Sequence, residues 1–322
     1  MRILVVGAGA VGGYFGGRLV EANRDVAFLV RAQRAEQINR EGLQIVSPNG
    51  NLTVHPKTVT ADRLTGFYDV ILLSVKSYAL SGAMNDFRAA VGPETMVVPV
   101  LNGMHHMDLL ASRFGEHAIL GGVCMVATEI DRAGRIEQLA DFQSLTYGEL
   151  DGHTTRRLQE LDETFRGAGF DAAISNQILP AMWQKWVQLA AVGAITCLLR
   201  GNLGEIASVP GGAALSVSSL RECADIARAC GYPQSGAFLE QLTIELTSEG
   251  SQMTTSMYRD LTKGAPVEVD SILGDLLERG RKKGLTAPLL EAAFVNLSIY
   301  QRGRDRLTPT VELSRLAQSP SH

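Results

Sequence analysis

The sequence predicts an α/β protein in which an N-terminal doubly wound parallel sheet is followed by an all-helical C-terminal domain. Two observations support this fold class. Up to about residue 170, short apolar segments rich in β-branched residues alternate with helical stretches, as in domains built from βαβ units. After about Gln177 the strand-like segments give way to long helix-compatible stretches. We therefore predict two domains, residues 1–174 and residues 175–322.

The predicted strands are short, apolar throughout and bounded by Gly, Asp or Pro. Runs of this kind fit strands that are buried on both faces of a parallel sheet. The clearest are Ile3–Val6, Val26–Val30, Val70–Val75 and Met96–Leu101. Further strand-like segments lie at Ile119–Thr128, Arg135–Leu139, Ser144–Tyr147 and Asp171–Ile174, with a polar helix at His153–Gly167.

The second half of the chain is predicted to be helical. Gly231, Pro233, Gly284 and Pro288 mark places where helices stop and restart. The candidate helices are Leu179–Ala191, Ala213–Cys230, Ala237–Ser248, Val269–Lys283 and Leu289–Arg302. The polar tail from Gln318 is expected to be frayed.

Composition narrows the classes of protein to consider. The chain has 322 residues, of which 45% are apolar and 20% charged, with a formal net charge of −4. These values argue against intrinsic disorder and against a nucleic-acid or anionic-membrane partner. The apolar segment before Gly7 is too short for a signal-peptide core. The longest apolar tract, 186–199, falls short of a membrane span, so we expect a cytoplasmic protein.

No metal site is predicted from the sequence. The cysteines form no Cys-x-x-Cys pair, and we interpret all of them as buried thiols of a reducing compartment: Cys124, Cys197, Cys223 and Cys230. The adjacent pair His105 and His106 would point about 100° apart on a helix, which does not suit one metal ion. We interpret both histidines as solvated or capping residues.

A glycine motif follows the first predicted strand directly. Gly7-x-Gly9-x-x-Gly12 lies between that strand and a helical stretch, which is the context that a dinucleotide-binding turn requires. Gly7 permits the tight turn, Gly9 lets the backbone approach a pyrophosphate, and Gly12 lets the helix pack close to the strand. Ala10 and Val11 begin the helix, whose free N–H groups favour phosphate. The alternative is a glycine-rich turn without a ligand.

The end of the second predicted strand indicates which nucleotide is bound. NAD-binding domains carry an acid there that holds the ribose 2′-hydroxyl. This strand ends in Arg31, with Arg34 nearby and no acid before Glu36. A guanidinium group favours a 2′-phosphate, so the sequence predicts NADP(H). The alternative for Arg31 is a solvated surface arginine.

Polar residues also follow two later strands. Lys76 comes directly after Ile71–Val75, and Asn102 directly after Val97–Leu101. Ligands of doubly wound domains bind outside the carboxyl ends of the strands. We therefore expect both side chains in the crevice where a nicotinamide would lie, although each residue taken alone also fits an ordinary loop.

In combination, these motifs resemble the ketopantoate reductase (2-dehydropantoate 2-reductase) family over nearly the whole chain. The matching elements are Gly7-x-Gly9-x-x-Gly12, Val75-Lys76, Asn102-Gly103-Met104, Trp183-Gln-Lys185, Thr255-Ser256-Met257 with Asp260, and Pro266-Val-Glu268-Val-Asp270. The resemblance implies a Rossmann-like NADP-binding domain and a helical domain, with the active site between them. It also implies NADPH-dependent reduction of 2-dehydropantoate to pantoate, a step of pantothenate biosynthesis.

The resemblance assigns roles to individual residues. Lys185 matches the family's general acid, and Glu268 the acid that organises the lysine, the substrate and the cofactor. Ser256 matches the serine that holds the substrate carboxylate, while Lys76 and Asn102 match residues beside nicotinamide and substrate. The chemistry agrees, because a protonated lysine can stabilise and then protonate the alkoxide that hydride transfer leaves. The alternative for Lys185 is a lysine that extends to water from the edge of its helix.

The chain departs from the family pattern at two positions. The family places asparagines four and eight residues after the catalytic lysine, on the same helical face. This chain has Leu189 and Gly193 there. We therefore consider, as an alternative to ketopantoate, a 2-oxo acid with a bulkier or more apolar side chain.

Two further readings stay open at this point. Another two-domain dehydrogenase of the β-hydroxyacid or opine type would share the glycine motif and the helical domain, but the pair Ser256 and Glu268 favours the first assignment. A non-catalytic NADP(H) sensor is the second. The helical domain also makes a homodimer possible, and the sequence leaves the oligomeric state undecided.

Overall fold

The computed structural model describes residues 1–307. The chain forms two compact units, Met1–Trp186 and a second that begins at Val187. This division falls inside a helix that covers 178–199, whereas the boundary drawn from the sequence lies just before that helix. The polar tail from Gln318 lies outside the described residues.

The elements alternate along the first unit and are helical in the second. The strands are β1 (Arg2–Val6), β2 (Asp25–Leu29), β3 (Leu43–Val46), β4 (Leu52–Val54), β5 (Lys57–Val59), β6 (Tyr68–Leu73), β7 (Val91–Pro99), β8 (Leu120–Ile130), β9 (Ile136–Glu149) and β10 (Asp171–Ile174). The helices are α1 (Ala10–Glu21), α2 (Ala32–Glu41), α3 (Leu80–Phe87), α4 (His105–Phe114), α5 (Arg156–Phe165), α6 (Ile178–Leu199), α7 (Leu203–Ala207), α8 (Gly212–Ala229), α9 (Gly236–Thr247), α10 (Ser256–Thr262), α11 (Asp275–Lys282) and α12 (Pro288–Leu307).

The first unit is built on a five-stranded sheet of order β5-β2-β1-β6-β7. All four pairings in it are parallel. The central strands are buried on both faces, and Ile3, Val5 and Leu72 are completely inaccessible to solvent. This burial explains why these strands are uninterrupted apolar runs in the sequence. The predicted fold class, a doubly wound parallel sheet followed by helices, is confirmed.

The strand order gives this sheet a switch point between β1 and β6. From β1 the chain proceeds to β2 and β5 on one side, and then crosses to β6 and β7 on the other. The strand ends are in register: Val6 pairs with Leu29 and with Leu73, and Leu73 pairs with Pro99. The segments that follow these residues therefore leave the sheet at one edge, where doubly wound domains bind ligands.

A second sheet of the first unit was only partly predicted. Its order is β10-β9-β3-β4, with β8 paired to β9. The segments Arg135–Leu139 and Ser144–Tyr147, predicted separately, both belong to the long strand β9. The strands β3, β4 and β5 were not predicted, because they have only three or four residues and mix polar with apolar side chains.

The helix α1 packs closely against both sheets through its glycines. A Cβ atom at Gly16 would lie 2.5 Å from the Phe28 ring in the parallel sheet. A Cβ atom at Gly13 would lie 2.3 Å from the Ile136 side chain in the second sheet. The concentration of glycine in this part of the sequence is therefore a packing requirement as well as a feature of the β1–α1 turn.

The second unit is helical, as predicted, with boundary differences. Helix α6 continues to Leu199, eight residues past the predicted end at Ala191. The short helices α7 and α10 were not predicted, and each begins at a side-chain cap, provided by Asn202 and Thr255. A π-helical turn, Asp270–Gly274, precedes α11. Within residues 1–307 we find no helix with both the length and the apolar character of a membrane span.

Candidate active site

The turn between β1 and α1 has the geometry of a phosphate cradle. Gly7 adopts a φ of +96°, which side chains rarely tolerate. A Cβ atom at Gly12 would lie 2.3 Å from the Gly7 carbonyl oxygen, so only glycine fits where the helix meets the turn. A Cβ atom at Gly9 would meet nothing within 4 Å. Gly9 therefore leaves an open space in front of the backbone, of the kind a bound group fills.

The first turn of α1 presents donors to that space. Gly9 is the N-cap and offers no side-chain cap, and no acidic residue lies in the first turn. The first N–H groups of a helix have no partner inside the helix, and the helix dipole adds partial positive charge. Ala10 and Val11 are half-buried at this position. These residues fit the pyrophosphate of a dinucleotide without requiring any side chain.

The predicted binding residues follow the aligned strand ends. Gly9, Lys76 and Asn102 each come three residues after the last residue of β1, β6 and β7. Those last residues, Val6, Leu73 and Pro99, pair with one another along the sheet. Lys76 and Asn102 are half-buried. The parallel register thus places the three segments side by side at the edge where the crevice was predicted.

The two arginines after β2 differ in their surroundings. Arg34 is engaged, since it donates to Gln37 Oε1 at 2.7 Å and to the carbonyl oxygen of Gly134 at 3.0 Å, and burial lowers its pKa. Arg31 is exposed at the N-cap of α2. Among residues 1–307 its side chain makes no hydrogen bond or ion pair. Of the two, Arg31 is the one available to a ligand.

Lys185 is held against β8 in the first unit. Its Nζ donates to the carbonyl oxygen of Cys124 at 2.7 Å and lies 3.6 Å from the Cys124 sulfur. The Cys124 thiol in turn donates to the carbonyl oxygen of Val100 at 3.5 Å. Val100 continues β7 and lies two residues before Asn102. Hydrogen bonds through Cys124 thus connect Lys185 to the segment that carries Asn102. Lys185 does not extend to water along the edge of its helix.

Glycine in β8 permits this arrangement. A Cβ atom at Gly122 would lie 2.3 Å from the carbonyl oxygen of Pro99, the last residue of β7. The close passage of β8 over the end of β7 brings Cys124 next to Val100. A contact between Cys124 and Lys185 was not predicted, because the two residues are 61 positions apart in the sequence.

The histidine pair differs from the prediction. His105 is exposed, as expected of a solvated residue, but His106 is only 3% exposed. The interpretation of His106 as solvated or capping is therefore wrong: within residues 1–307 neither of its ring nitrogens has a hydrogen-bond partner. Burial and the nearby charge of Lys185 lower the pKa of His106 to about 3. The position in the first turn of α4 turns one histidine to solvent and its neighbour into the core.

The remaining predicted residues lie in the second unit. Ser256 is half-buried at the start of α10, whose N-cap is Thr255. Glu268 is 5% exposed and lies two residues before the π-helical turn, with its carbonyl oxygen accepting from the Ile272 N–H at 3.1 Å. The roles of Ser256 and Glu268 as carboxylate-holding and lysine-organising residues remain predictions.

Helix α6 includes the two positions where the chain departs from the family pattern. Leu189 is half-buried and Gly193 is buried. A Cβ atom at Gly193 would lie 2.9 Å from the Met257 methyl group and 3.5 Å from Thr255 Oγ1. The methionine methyl group therefore covers the helix surface from which an asparagine would project. This contact of Met257 was not predicted from the sequence, because it depends on how α10 packs beside α6.

Two family models together match most of the chain. The model described as ketopantoate reductase PanE/ApbA matches residues 3–152, and its C-terminal counterpart matches residues 177–301. The chain belongs to the ketopantoate reductase family. The resemblance inferred from the motifs and the prediction of an oxidoreductase are both confirmed.

Two curated relatives align with this chain over most of its sequence. YkpB of Bacillus subtilis (strain 168), named an uncharacterized oxidoreductase, is 36% identical over 301 residues, which is 94% of this chain and 99% of that protein. A 2-dehydropantoate 2-reductase of Pyrococcus horikoshii is 28% identical over 292 residues, 90% of this chain and 94% of that protein.

Solved structures match this chain over most of its length. The 2-dehydropantoate 2-reductase of Geobacter metallireducens GS-15 has a TM-score of 0.84 and 28% identity, covering 93% of this chain and 99% of that one. D-mandelate dehydrogenase with NADH and anilino(oxo)acetate has a TM-score of 0.85 and 21% identity, covering 95% and 100%. D-mandelate dehydrogenase shares the fold of this chain. No cluster of His, Cys, Asp and Glu suited to a metal ion occurs among residues 1–307.

Proposed function

We propose that this protein reduces a 2-oxo acid to a 2-hydroxy acid with NADPH, and that Lys185 is the general acid. The observation that carries the proposal is the Lys185 ammonium group, held 2.7 Å from the Cys124 carbonyl oxygen on the strand that crosses the end of β7. The uncapped start of α1, with its open space at Gly9, supports a dinucleotide as the second ligand.

In this proposal the chain's residues bind, orient and protonate. The nicotinamide, when bound, supplies the hydride to the keto carbon. Lys185 stabilises the developing negative charge on the keto oxygen and donates the proton that completes the alcohol, a step worth about 10²–10⁴ in rate. Lys76 and Asn102 orient substrate and nicotinamide at the strand edge. Ser256 holds the substrate carboxylate, and Glu268 organises the lysine, as the family resemblance implies.

The preference for NADPH over NADH rests on Arg31. An exposed guanidinium with no hydrogen-bond or ion-pair partner among residues 1–307, two residues past the end of β2, is suited to a ribose 2′-phosphate. One charge-assisted hydrogen bond of about 1.5–3 kcal/mol gives a ten- to hundredfold preference. D-mandelate dehydrogenase, whose structure contains NADH, shares this fold, so the assay includes both cofactors.

We expect Arg31→Asp to weaken NADPH binding about 10- to 100-fold while changing the Kd of NADH by less than threefold, because only NADPH carries the 2′-phosphate. Fluorescence titration with both cofactors measures this. Arg34→Ala is the control, since Arg34 already binds the Gly134 carbonyl oxygen and its loss should lower Tm without changing the preference. Equal losses for NADPH and NADH in Arg31→Asp would remove the proposed role.

The substrate is either ketopantoate or a more apolar 2-oxo acid. Ketopantoate carries a hydroxyl group, and a hydroxyl buried without a partner costs about 1–3 kcal/mol. Leu189 and the Met257 methyl group beside Gly193 present apolar surface where the family has asparagines. These contacts favour an apolar side chain. The solved structure of D-mandelate dehydrogenase, which has the same fold, contains anilino(oxo)acetate.

We expect Leu189→Asn to raise the ratio of kcat/KM for ketopantoate to kcat/KM for phenylglyoxylate by about 10-fold or more, because an amide restores a partner for the hydroxyl. Leu199→Asn is the matched control, since Leu199 lies on the same helix and is already 40% exposed. An unchanged ratio in Leu189→Asn would show that position 189 does not contact the substrate.

The proposed function is tested by following NADPH oxidation with a panel of 2-oxo acids that includes ketopantoate, phenylglyoxylate and branched aliphatic members. The proposal expects turnover with at least one of them. Tight NADPH binding without turnover of any would instead support the cofactor-sensor alternative.

A further inference from the structure

Ser74 joins the end of β6 to the turn between β1 and α1. It directly follows Leu73, the last residue of β6. Its hydroxyl oxygen lies 3.0 Å from the carbonyl oxygen of Gly7 and 3.1 Å from that of Val6, so the one O–H donor is shared between two acceptors. Its main-chain N–H also donates to the Val6 oxygen, at 3.2 Å. Ser74 is therefore bonded to the turn through both its main chain and its side chain.

The Ser74 hydroxyl contacts the turn where the turn is tightly packed. A Cβ atom at Gly12 would lie 1.9 Å from Ser74 Oγ, and a Cβ atom at Gly7 would lie 3.6 Å from it. A Cβ atom at Gly9, in contrast, would meet no atom within 4 Å. The hydroxyl thus supports the turn at Gly7 and Gly12 and leaves the Gly9 position open for the proposed pyrophosphate.

Gly7 is the part of the turn that most needs support. Its φ of +96° is accessible to glycine, but glycine also loses more conformational freedom on folding than any other residue. The carbonyl oxygen of a peptide is an acceptor, as phosphate oxygens are, and the two repel each other when they meet. A donor that holds the Gly7 oxygen toward Ser74 keeps this acceptor away from the ligand.

We propose that Ser74 is a positioning residue for the dinucleotide. Its hydroxyl fixes the Gly7 peptide, and the fixed turn keeps the first N–H groups of α1 directed at the pyrophosphate. The inference rests on the proposed function in taking NADPH as the ligand of this turn. It does not require that the protein reduce any particular substrate.

Ser74→Ala removes the hydroxyl and keeps the main-chain bond to Val6. We expect the Kd of NADPH and the Kd of NADH to rise by the same factor, about 3- to 10-fold, because both cofactors carry the pyrophosphate. The KM for NADPH should rise in parallel while kcat stays within about twofold, as for a contact made equally before and during the reaction. Isothermal titration and steady-state kinetics measure these quantities.

Thr95→Val is the matched control. Thr95 Oγ1 donates to the carbonyl oxygen of Tyr68 at 2.6 Å, so this variant also removes a bond from a hydroxyl to the main chain of β6. Tyr68 is the first residue of β6, at the opposite end from Ser74, and Thr95 is buried. Thr95→Val should lower Tm at least as much as Ser74→Ala does, with both Kd values within about twofold of wild type. Wild-type Kd values in Ser74→Ala, or an equal rise in both variants, overturn the proposal.

Phosphorus NMR of the protein saturated with NADPH gives a readout that does not depend on activity. In Ser74→Ala we expect the pyrophosphate resonances to move from their wild-type positions while the 2′-phosphate resonance stays in place. In Thr95→Val none of them should move. Pyrophosphate resonances that are the same in Ser74→Ala and wild type, or a 2′-phosphate resonance that moves with them, overturn the proposal. If the wild type binds NADPH and reduces no 2-oxo acid, the proposed function fails while this spectrum still decides the role of Ser74.

Discussion

Lys185→Ala lowers kcat for 2-oxo acid reduction by about 10²–10⁴-fold while leaving the Kd of NADPH within about twofold. The variant removes the only group in the proposal that protonates the alkoxide, but no part of the glycine turn that binds the cofactor. Stopped-flow measurement of NADPH oxidation, together with fluorescence titration of NADPH, separates the two quantities. Because the Lys185 ammonium donates to the Cys124 carbonyl oxygen, the mutation also removes that hydrogen bond, and Tm should fall slightly.

Two further variants control for charge and for general effects of mutation. Lys185→Arg keeps a cation but not a good proton donor at neutral pH, so we expect it to bind cofactor and to remain slow. Lys282→Ala removes an exposed lysine that pairs with Glu278 at the end of α11, and it should keep wild-type turnover. Turnover of Lys185→Ala within tenfold of wild type would contradict the assignment of Lys185 as the general acid.

Gly9→Ala is expected to weaken NADPH binding by at least about 100-fold without changing the free energy of unfolding by more than about 0.5 kcal/mol. The new Cβ atom meets no protein atom within 4 Å, so the fold has no reason to change. The same atom would occupy the space in which the pyrophosphate approaches the backbone. Isothermal titration with NADPH and urea unfolding measure the two effects.

Gly12→Ala is the matched control for this prediction. Its Cβ atom would lie 2.3 Å from the Gly7 carbonyl oxygen and 1.9 Å from Ser74 Oγ, so that variant should lose stability as well as binding. The pair therefore separates a glycine required by the ligand from a glycine required by packing. Normal NADPH binding by Gly9→Ala would place the dinucleotide elsewhere.

The parallel sheet and its binding edge could be predicted because their physical causes are local in the sequence. A strand buried on both faces must be apolar throughout, and Ile3–Val6 shows this directly. The position of Lys76 and Asn102 at the ends of β6 and β7 follows from counting residues along such strands. In the structure each lies three residues beyond its strand, because β6 ends at Leu73 and β7 ends at Pro99.

The environment of Lys185 could not be predicted from local pattern. Its acceptor, the Cys124 carbonyl oxygen, is a main-chain atom that any residue supplies, and it comes from a strand 61 positions away. The small size of Gly122 brings that strand close to Pro99, but a glycine in a strand does not indicate what it approaches. From the sequence we interpreted Cys124 only as a buried thiol, and in the structure Cys124 is buried.

His106 and Met257 show a second limit of sequence analysis. Two adjacent histidines at the start of a helix give no sign of which one points into the core, since that depends on how the helix packs. Met257 sits in a short helix whose seven residues are too few for a periodic signal. Its methyl group beside Gly193 becomes informative only when the two helices are seen together.

Transfer of deuterium from the nicotinamide of deuterated NADPH to C2 of the product tests the central claim most directly. The account predicts a 2-hydroxy acid with one deuterium at C2, formed in proportion to the NADPH consumed, with at least one 2-oxo acid of the panel. Lys185→Ala should form the same labelled product far more slowly. NADPH bound tightly by the wild type, with no deuterium reaching any 2-oxo acid, would contradict the account.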